Sequence, residues 1–379
     1  MGPFDILGPD SIREGSATDA YFLRTETTLA EAGINPTVTL EVTADQFPTG
    51  EFELFTGVKD AAALLDGLPI DVDALAEGRC FDGGPVMRIQ GPYRAVGRYE
   101  TALLGFLSHA SGFATRALEA RRAAPDVDLF SFGARHVHPA IAPVVERSAL
   151  LAGFDGFSHV GAGEILGREA SGTMPHALII CFGPGNQEEA WQAFNAAVGP
   201  DVPRIALCDT FTDEVDEAVR AAHALGDSLD SIRIDTTASR RGDYRAILQE
   251  VRWELDARGY EDIGIFASGG IGLDDLDRLK DVVDGFGIGS HITNADPVDF
   301  ALDIVELDGS ATSKRGKLSG PKSVYRTSDG EHVVKPATAP GPDDGESLLE
   351  PLIRDGDIVR SFDLDAATEL AIKDAELVD

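Results

Sequence analysis

The stretch IGIFASGGIGLDDLDRLKDVVDGFGIGS, residues 263–290, decides the fold. It opens with a short apolar run that ends in small residues. A segment with apolar positions three and four apart follows, and then a second short run with the same kind of ending. Strand, helix and strand in that order form the repeating unit of a parallel sheet. Working back toward the N-terminus, the same rhythm recurs in VDLFSF (127–132), FDGFSHV (154–160), HALIICF (176–182), RIALCD (204–209) and SIRID (231–235), each read as a strand. Between them lie helical patterns: IAPVVERSALLAG, EEAWQAFNAAV, DEVDEAVRAAHALG and YRAILQEVRWELDARG. Strand and helix alternate at a spacing of about 25 residues.

A doubly wound sheet and a closed (β/α) barrel both fit that alternation. The paired glycine-rich ends favour the α/β barrel, whose phosphate site is commonly built by the last two strands. The expected organisation has three parts. Residues 1–115 form an N-terminal α+β module, with alternating strands in PTVTLEVTADQFPTGEFELFTGV and a small-residue helix in ETALLGFLSHASGFATRALEARR. Residues 116–300 form the barrel. Residues 301–379 read as short strands, Pro- and Gly-rich turns and an acidic helix near 363–377, a segment expected to return and complete the N-terminal module.

Composition narrows the function. The chain has 379 residues, 65 acidic against 32 basic, for a net charge of −33. Such a surface repels nucleic acid and anionic membranes. Only seven of the basic residues are lysine and the acidic excess runs through the whole chain, as expected of a halophilic protein whose self-repulsion is screened by concentrated salt. Cys80, Cys181 and Cys208 share no metal-ligand spacing, and the last two, within apolar runs, read as buried thiols. The N-terminus lacks the pattern of an export signal and no apolar run approaches the ~20 residues that span a bilayer, so a cytoplasmic protein is expected.

Catalytic groups of such barrels sit where strands end and loops begin. That filter selects Arg135, His136 and His138, Ser158 and His159, His176, Asp209, Arg233 and Asp235, Ser268, Gly269 and Gly270, and Gly287, Gly289 and Ser290. The two glycine-rich ends allow backbone N–H groups to approach one phosphate monoester, although tight turns alone would also use glycine. No Walker loop is present, and Gly161, Gly163 and Gly167 are spaced one residue too far for a dinucleotide fingerprint. Arg233 and Asp235, two apart on a strand, share a face. They form either a buried ion pair or a ligand-facing pair. Asp209 and Asp235 offer hard oxygen ligands for Mg²⁺ beside a pyrophosphate. His176 in isolation reads as a core-edge histidine.

Taken in order, SFGARHVHPAIAP, AGFDGFSHVGAGEILGREASGTMPHAL, LCDTF, SIRID, ASGGI and GFGIGSHIT resemble the nicotinate phosphoribosyltransferases, type II phosphoribosyltransferases, in their shorter archaeal-like form. The resemblance runs from TDAYFLRT near the N-terminus to KRGKLSGPKSVYR near residue 326. It implies that nicotinate and 5-phosphoribosyl-1-pyrophosphate give nicotinate mononucleotide and pyrophosphate in NAD salvage. It also implies coupling to ATP hydrolysis through a phosphohistidine at His176, Mg²⁺ as cofactor, and a homodimer with a shared active site. By position, Phe132 and Tyr21 would stack on the pyridine ring, Tyr21 coming from the other subunit. Arg135 would face pyrophosphate and substrate, Arg233 and Asp235 the ring and ribose, and Ser158 the group that separates acid from amide. Ser268, Gly269, Gly270, Gly287, Gly289 and Ser290 would cradle the 5′-phosphate. Lys314, Arg315 and Lys317 form a dense basic cluster that either closes over the phosphates or stays a solvated loop. The sequence departs from many relatives in reading DTTASRRGD after the strand, and its tail lacks the cysteine-rich module some carry.

Three other readings remain. Quinolinate phosphoribosyltransferase shares the architecture, but its dicarboxylate substrate needs more cations around the ring and no lysine lies between Lys59 and Lys280. A metal-dependent barrel hydrolase would use His136 and His138, completed by His159, His176 and Asp235. A non-catalytic phosphate-binding protein would release no pyrophosphate.

Overall fold

The computed structural model describes residues 4–44, 46–50 and 52–378, so Met1–Pro3, Asp45, Glu51 and Asp379 lie outside the described residues. The chain divides into two compact units. One comprises residues 1–115, 151–153 and 295–379, and the other residues 116–150 and 154–294.

The second unit carries the alternation read from the sequence. Its strands are β1 (Asp128–Ser131), β2 (Gly156–Phe157), β3 (Ile205–Leu207), β4 (Ser231–Ile234), β5 (Gly264–Ala267) and β6 (Gly285–Ile288). Its helices of seven or more residues, wholly inside the unit or nearly so, are α1 (Ala142–Leu151), α2 (Val160–Leu166), α3 (His176–Phe182), α4 (Gln187–Ala197), α5 (Glu214–Leu225), α6 (Tyr244–Asp256) and α7 (Leu273–Leu279). The strands pair in the order β2-β1-β6-β5-β4-β3, all parallel. Leu129, Phe157, Leu207, Ile232, Ile234, Ile265, Phe286 and Ile288 are buried, as expected for strands covered by crossover helices. Local signals set the helix ends. Asp213 caps α5 by accepting from Val215 N at 3.0 Å, Asp243 caps α6 by accepting from Ala246 N at 3.2 Å, and Gly167 ends α2 in the left-handed conformation. In α6 the buried residues Tyr244, Leu248, Val251 and Leu255 fall four, three and four apart, a single face.

Two expectations fail together here. HALIICF is not a strand but helix α3, entered through Pro175 at its N-cap. Among its apolar residues Ile179 is buried while Ile180 is 55% exposed, and Cys181, expected to be a buried thiol, is exposed. A short apolar run without alternation has no period to separate strand from helix. Without a strand between β2 and β3 these two remain the edges of the sheet, so the expected α/β barrel core is present as a curled half-barrel.

The first unit is built on a seven-stranded sheet that interleaves both ends of the chain. Strand Thr37–Ala44 pairs antiparallel with Pro85–Pro92 on one side and Phe300–Leu307 on the other, while Asp71–Ala74 pairs with Glu350–Arg354. Val38, Leu40 and Val42 face its core. The C-terminal helix Leu364–Leu377 is pinned by Asp374, which is buried and accepts from Arg79 Nη1 at 2.9 Å and Cys80 N at 2.7 Å and pairs with Arg326. Among the described residues no helix is long and apolar enough to cross a membrane.

Candidate active site

A cavity of about 780 Å³ opens at the C-terminal ends of the strands in the second unit. Parallel sheets present their ligand sites there because loops of free sequence leave a rigid scaffold at that edge. The cavity brings together Phe132 and Arg135 after β1, Ser158 after β2, His176 at the start of α3, Arg233 and Asp235 at the end of β4, Ser268, Gly269 and Gly270 after β5, and Gly287, Gly289 and Ser290 at the end of β6.

Arg233 and Phe132 form the wall on which a flat ring can lie. The guanidinium carbon is 5.8 Å from the Phe132 ring centroid. Arg233 Nη2 donates to Met174 O at 3.2 Å, tying the loop before α3 to β4, and lies 3.9 Å from Asp235 Oδ2. Its Nε is buried without a hydrogen-bond partner. Burial lowers its pKa, opposed by the charges of Asp235 and Asp209. It stays protonated, and a buried cation with a spare donor suits an anionic ligand. Gly287 leaves room for this wall, because a Cβ there would come within 2.2 Å of the Phe132 ring.

The glycine-rich turn follows β5, the neighbour of β4 in the sheet. Gly269 has φ +89°, and a Cβ on it would meet Asp235 Oδ1 at 2.6 Å. The turn is held from behind by Arg241, whose Nη2 donates to Ser268 O at 3.3 Å and to Gly269 O, and whose Nε donates to Thr236 O at 2.9 Å. Arg241 is buried and stacks over Tyr244 at 4.2 Å. The Ser268 hydroxyl is buried at the cavity wall with no partner, a donor left for a ligand oxygen.

His176 is the first residue of α3, with its side chain 38% exposed. Its Nε2 lies 2.9 Å from Asp209 Oδ1. Asp209, at 2% exposure, is not among the cavity-lining residues. Its Oδ2 accepts from Asp235 N at 2.8 Å and Thr236 Oγ1 at 3.3 Å. Both oxygens of Asp209 are therefore engaged within the protein. It orients His176. The hydrogen bond from Asp209 raises the His176 pKa, burial partly opposes this, and the Asp209 and Asp235 charges add to the rise. With Nε2 carrying the proton toward Asp209, Nδ1 is the ring nitrogen left with a lone pair.

Tyr21 lies in the first unit on helix Ala20–Glu31, 56% exposed, with its hydroxyl donating to Asp19 at 3.3 Å. The cavity-lining residues all belong to the second unit, so Tyr21 is not among them. The H-x-H pair splits. His136 lines the cavity, whereas His138 Nδ1 accepts from Ala140 N at 3.2 Å. Among the described residues no three His, Cys, Asp or Glu side chains are arranged to hold a metal ion, so the hydrolase reading has no ligand set. Lys314 and Lys317 lie 2.6 and 3.4 Å from buried Asp303 in the first unit. Sequence reasoning missed Arg241, which stands in the SRRGD segment after β4. It also missed Glu146, buried on α1 behind Ser131, Ser158 and His159, whose carboxyl burial pushes up to about 7. No motif signals either one.

Profiles of the quinolinate phosphoribosyl transferase N-terminal and C-terminal domains match residues 19–111 and 113–303. The chain belongs to the type II phosphoribosyltransferase family. It is similar to the nicotinate phosphoribosyltransferase pncB1 of Mycobacterium tuberculosis, at 28% identity over 94% of this chain and 89% of that protein. It is 30% identical to pncB2 of the same organism, over 79% of this chain and 67% of that protein. The crystal structure of nicotinate-nucleotide pyrophosphorylase from Pyrococcus furiosus superposes with a TM-score of 0.95 at 46% identity, covering 100% of this chain and 99% of that one. Human nicotinic acid phosphoribosyltransferase shares the fold, with a TM-score of 0.78 at 22% identity over 95% of this chain and 93% of that one. As a type II phosphoribosyltransferase the chain is an enzyme.

Proposed function

We propose that the chain is a nicotinate phosphoribosyltransferase of NAD salvage, in which transfer is coupled to ATP hydrolysis through phosphorylation of His176. The observation that carries the coupled reading is the His176 Nε2 to Asp209 Oδ1 contact at the cavity edge, which leaves Nδ1 as a nucleophile. In the coupling step Nδ1 attacks the γ-phosphorus of ATP, an N–P bond forms, and the P–O bond to ADP breaks. Water later cleaves the N–P bond to release phosphate and restore the imidazole. Asp209 stabilises the imidazolium character that develops, as the orienting acid does in a nucleophile–base–acid triad.

In the transfer step the nicotinate ring nitrogen attacks C1 of 5-phosphoribosyl-1-pyrophosphate while the bond to pyrophosphate breaks, through a sugar with oxocarbenium character. Phe132 positions the ring by stacking, and Arg233 and Arg135 oppose the negative charge that accumulates on the leaving group. The Ser268 hydroxyl and the amides at Gly269, Gly270 and Ser290 suit the 5′-phosphate. Asp235 is the cavity-facing carboxylate near the ribose. One facing carboxylate fits Mg²⁺, which takes few protein ligands and completes its shell with water and phosphate oxygens. When bound, the ion neutralises pyrophosphate charge. Exposed Tyr21 suits a homodimer in which it supplies the second face of the pyridine site.

Nicotinate is favoured over quinolinate by the cavity's cations, Arg135 and Arg233, with no lysine among its lining residues. The names of the family profiles favour quinolinate as a second reading. The test offers nicotinate, nicotinamide and quinolinate separately with 5-phosphoribosyl-1-pyrophosphate, Mg²⁺ and concentrated salt, with and without ATP. Nicotinate alone should give mononucleotide, faster with ATP. Quinolinate turnover with release of CO₂ and none from nicotinate would replace this reading with the second.

A further inference from the structure

Glu217 touches none of the groups assigned to the chemistry, yet it is fully buried in the first turn of α5 and satisfied by a converging set of donors. Its carboxylate accepts from Thr210 N at 3.0 Å, Phe211 N at 2.8 Å and Thr212 N at 2.9 Å. These three amides follow directly on Asp209, and none of them has a backbone acceptor among the described residues. The same carboxylate accepts from Gln187 Nε2 at 3.2 Å. Gln187 is buried at the start of α4, and α4 packs against both α3, which carries His176, and α5.

We propose that Glu217 is a positioning residue: it clamps the segment after Asp209 to α4 and so holds the Asp209 carboxylate against His176 Nε2. The physical reason lies in the backbone. The strand ladder ends near Cys208, whose N–H donates to Arg233 O at 3.0 Å, and beyond it the chain turns away from the sheet. Three successive amides then need acceptors, and one ionised carboxylate has lone pairs for all of them and for Gln187. The positive end of α5 favours its charge. A neutral side chain of the same shape cannot serve this set, because its NH₂ group would face a donor.

This inference deepens the proposed role of His176 and rests on it, but its test does not require phosphorylation. The imidazole signals of His176 are followed by NMR on the full chain, assigned by their loss in His176→Ala. The charged groups around that ring are Asp209, Asp235 and Arg233. The wild-type ring should be the Nε2–H tautomer when neutral and titrate above an ordinary histidine. In Glu217→Gln it should titrate lower. ATP-coupled turnover should fall about tenfold or more, with the KM for nicotinate unchanged. Glu217→Asp, which keeps the charge but shortens the reach, should move the titration the same way. A folded variant with unchanged His176 titration and tautomer overturns the proposal. Failure of both variants to fold also overturns it, making Glu217 a residue of the fold alone. Absence of phosphohistidine in the wild-type protein would refute the coupled reading and leave the NMR outcome to stand by itself.

Discussion

Replacing Asp209 by asparagine changes one atom and should reverse the hydrogen bonding of His176. In the wild-type protein Asp209 Oδ2 accepts from Asp235 N at 2.8 Å, and that amide can only donate. In Asp209→Asn the side-chain oxygen must therefore keep this place, which turns the new NH₂ group toward His176 Nε2, 2.9 Å away in the wild type. Nε2 becomes the acceptor, and the ring proton moves to Nδ1, the proposed nucleophile. Restoring the reactive tautomer would set donor against donor. The loss of a charge-assisted hydrogen bond, ~1.5–3 kcal/mol, together with the unpaired polar group left behind, amounts to about 3–5 kcal/mol. That corresponds to ~10²–10⁴ in rate, the range expected when an orienting acid is neutralised. Phosphoenzyme formation is measured with γ-labelled ATP as acid-labile, base-stable protein phosphate, alongside thermal unfolding to show that the variant is folded. Phosphorylation within about threefold of wild type would refute the tautomer argument.

Other outcomes follow from the same geometry. Gly287→Ala should push the Phe132 ring off its seat, raise the KM for the pyridine substrate and cost about 1–3 kcal/mol in stability, read by steady-state kinetics and denaturant unfolding. Glu146 has a folded pKa of about 7, above its ordinary value of 4.5, so its contribution is fully present below pH 4.5 and is lost as pH rises through 7. Glu146→Gln, which mimics the neutral acid, should match the wild type near pH 4.5 and exceed it by about 3 kcal/mol at pH 8; equal stabilities at both pH values would contradict the assignment. The raised pKa of His176 gives the same sign, with stability from the Asp209 contact present at low pH and lost as pH rises through the elevated value, while its use as a neutral nucleophile should give phosphorylation a rate that climbs over that interval. With a net charge of −33, thermal stability should rise as KCl is raised from low to molar concentration, and a flat or falling melting curve would oppose the halophilic reading.

Legibility in the sequence follows the kind of signal available. Strands such as SIRID and IGIFASGG, bracketed by long amphipathic helices and glycine, are readable because periodicity, caps and turn residues agree. The strand-end filter then gathers Arg135, Ser158, Arg233, Asp235 and the glycines that the cavity brings together, while Phe132 is reached only through the family resemblance. HALIICF misleads because the six apolar residues that follow His176 carry no period, and without a strand there the barrel core is a half-barrel. Asp209 is found by the filter, but its contacts are not: only tertiary packing reveals that its oxygens meet Asp235 N, Thr236 and His176. Arg241 and Glu217 are invisible as functional residues, because each acts on backbone groups brought near by the fold and neither stands in a motif.

Transfer of the phosphoribosyl group to nicotinate in this cavity is measured with isotope-labelled nicotinate and 5-phosphoribosyl-1-pyrophosphate in concentrated salt with Mg²⁺ and ATP. The wild-type protein should form labelled nicotinate mononucleotide with one pyrophosphate released for each, and folded Arg233→Ala should lose nearly all of that turnover. Absence of the mononucleotide from the wild-type reaction, or its undiminished formation by Arg233→Ala, would contradict the account.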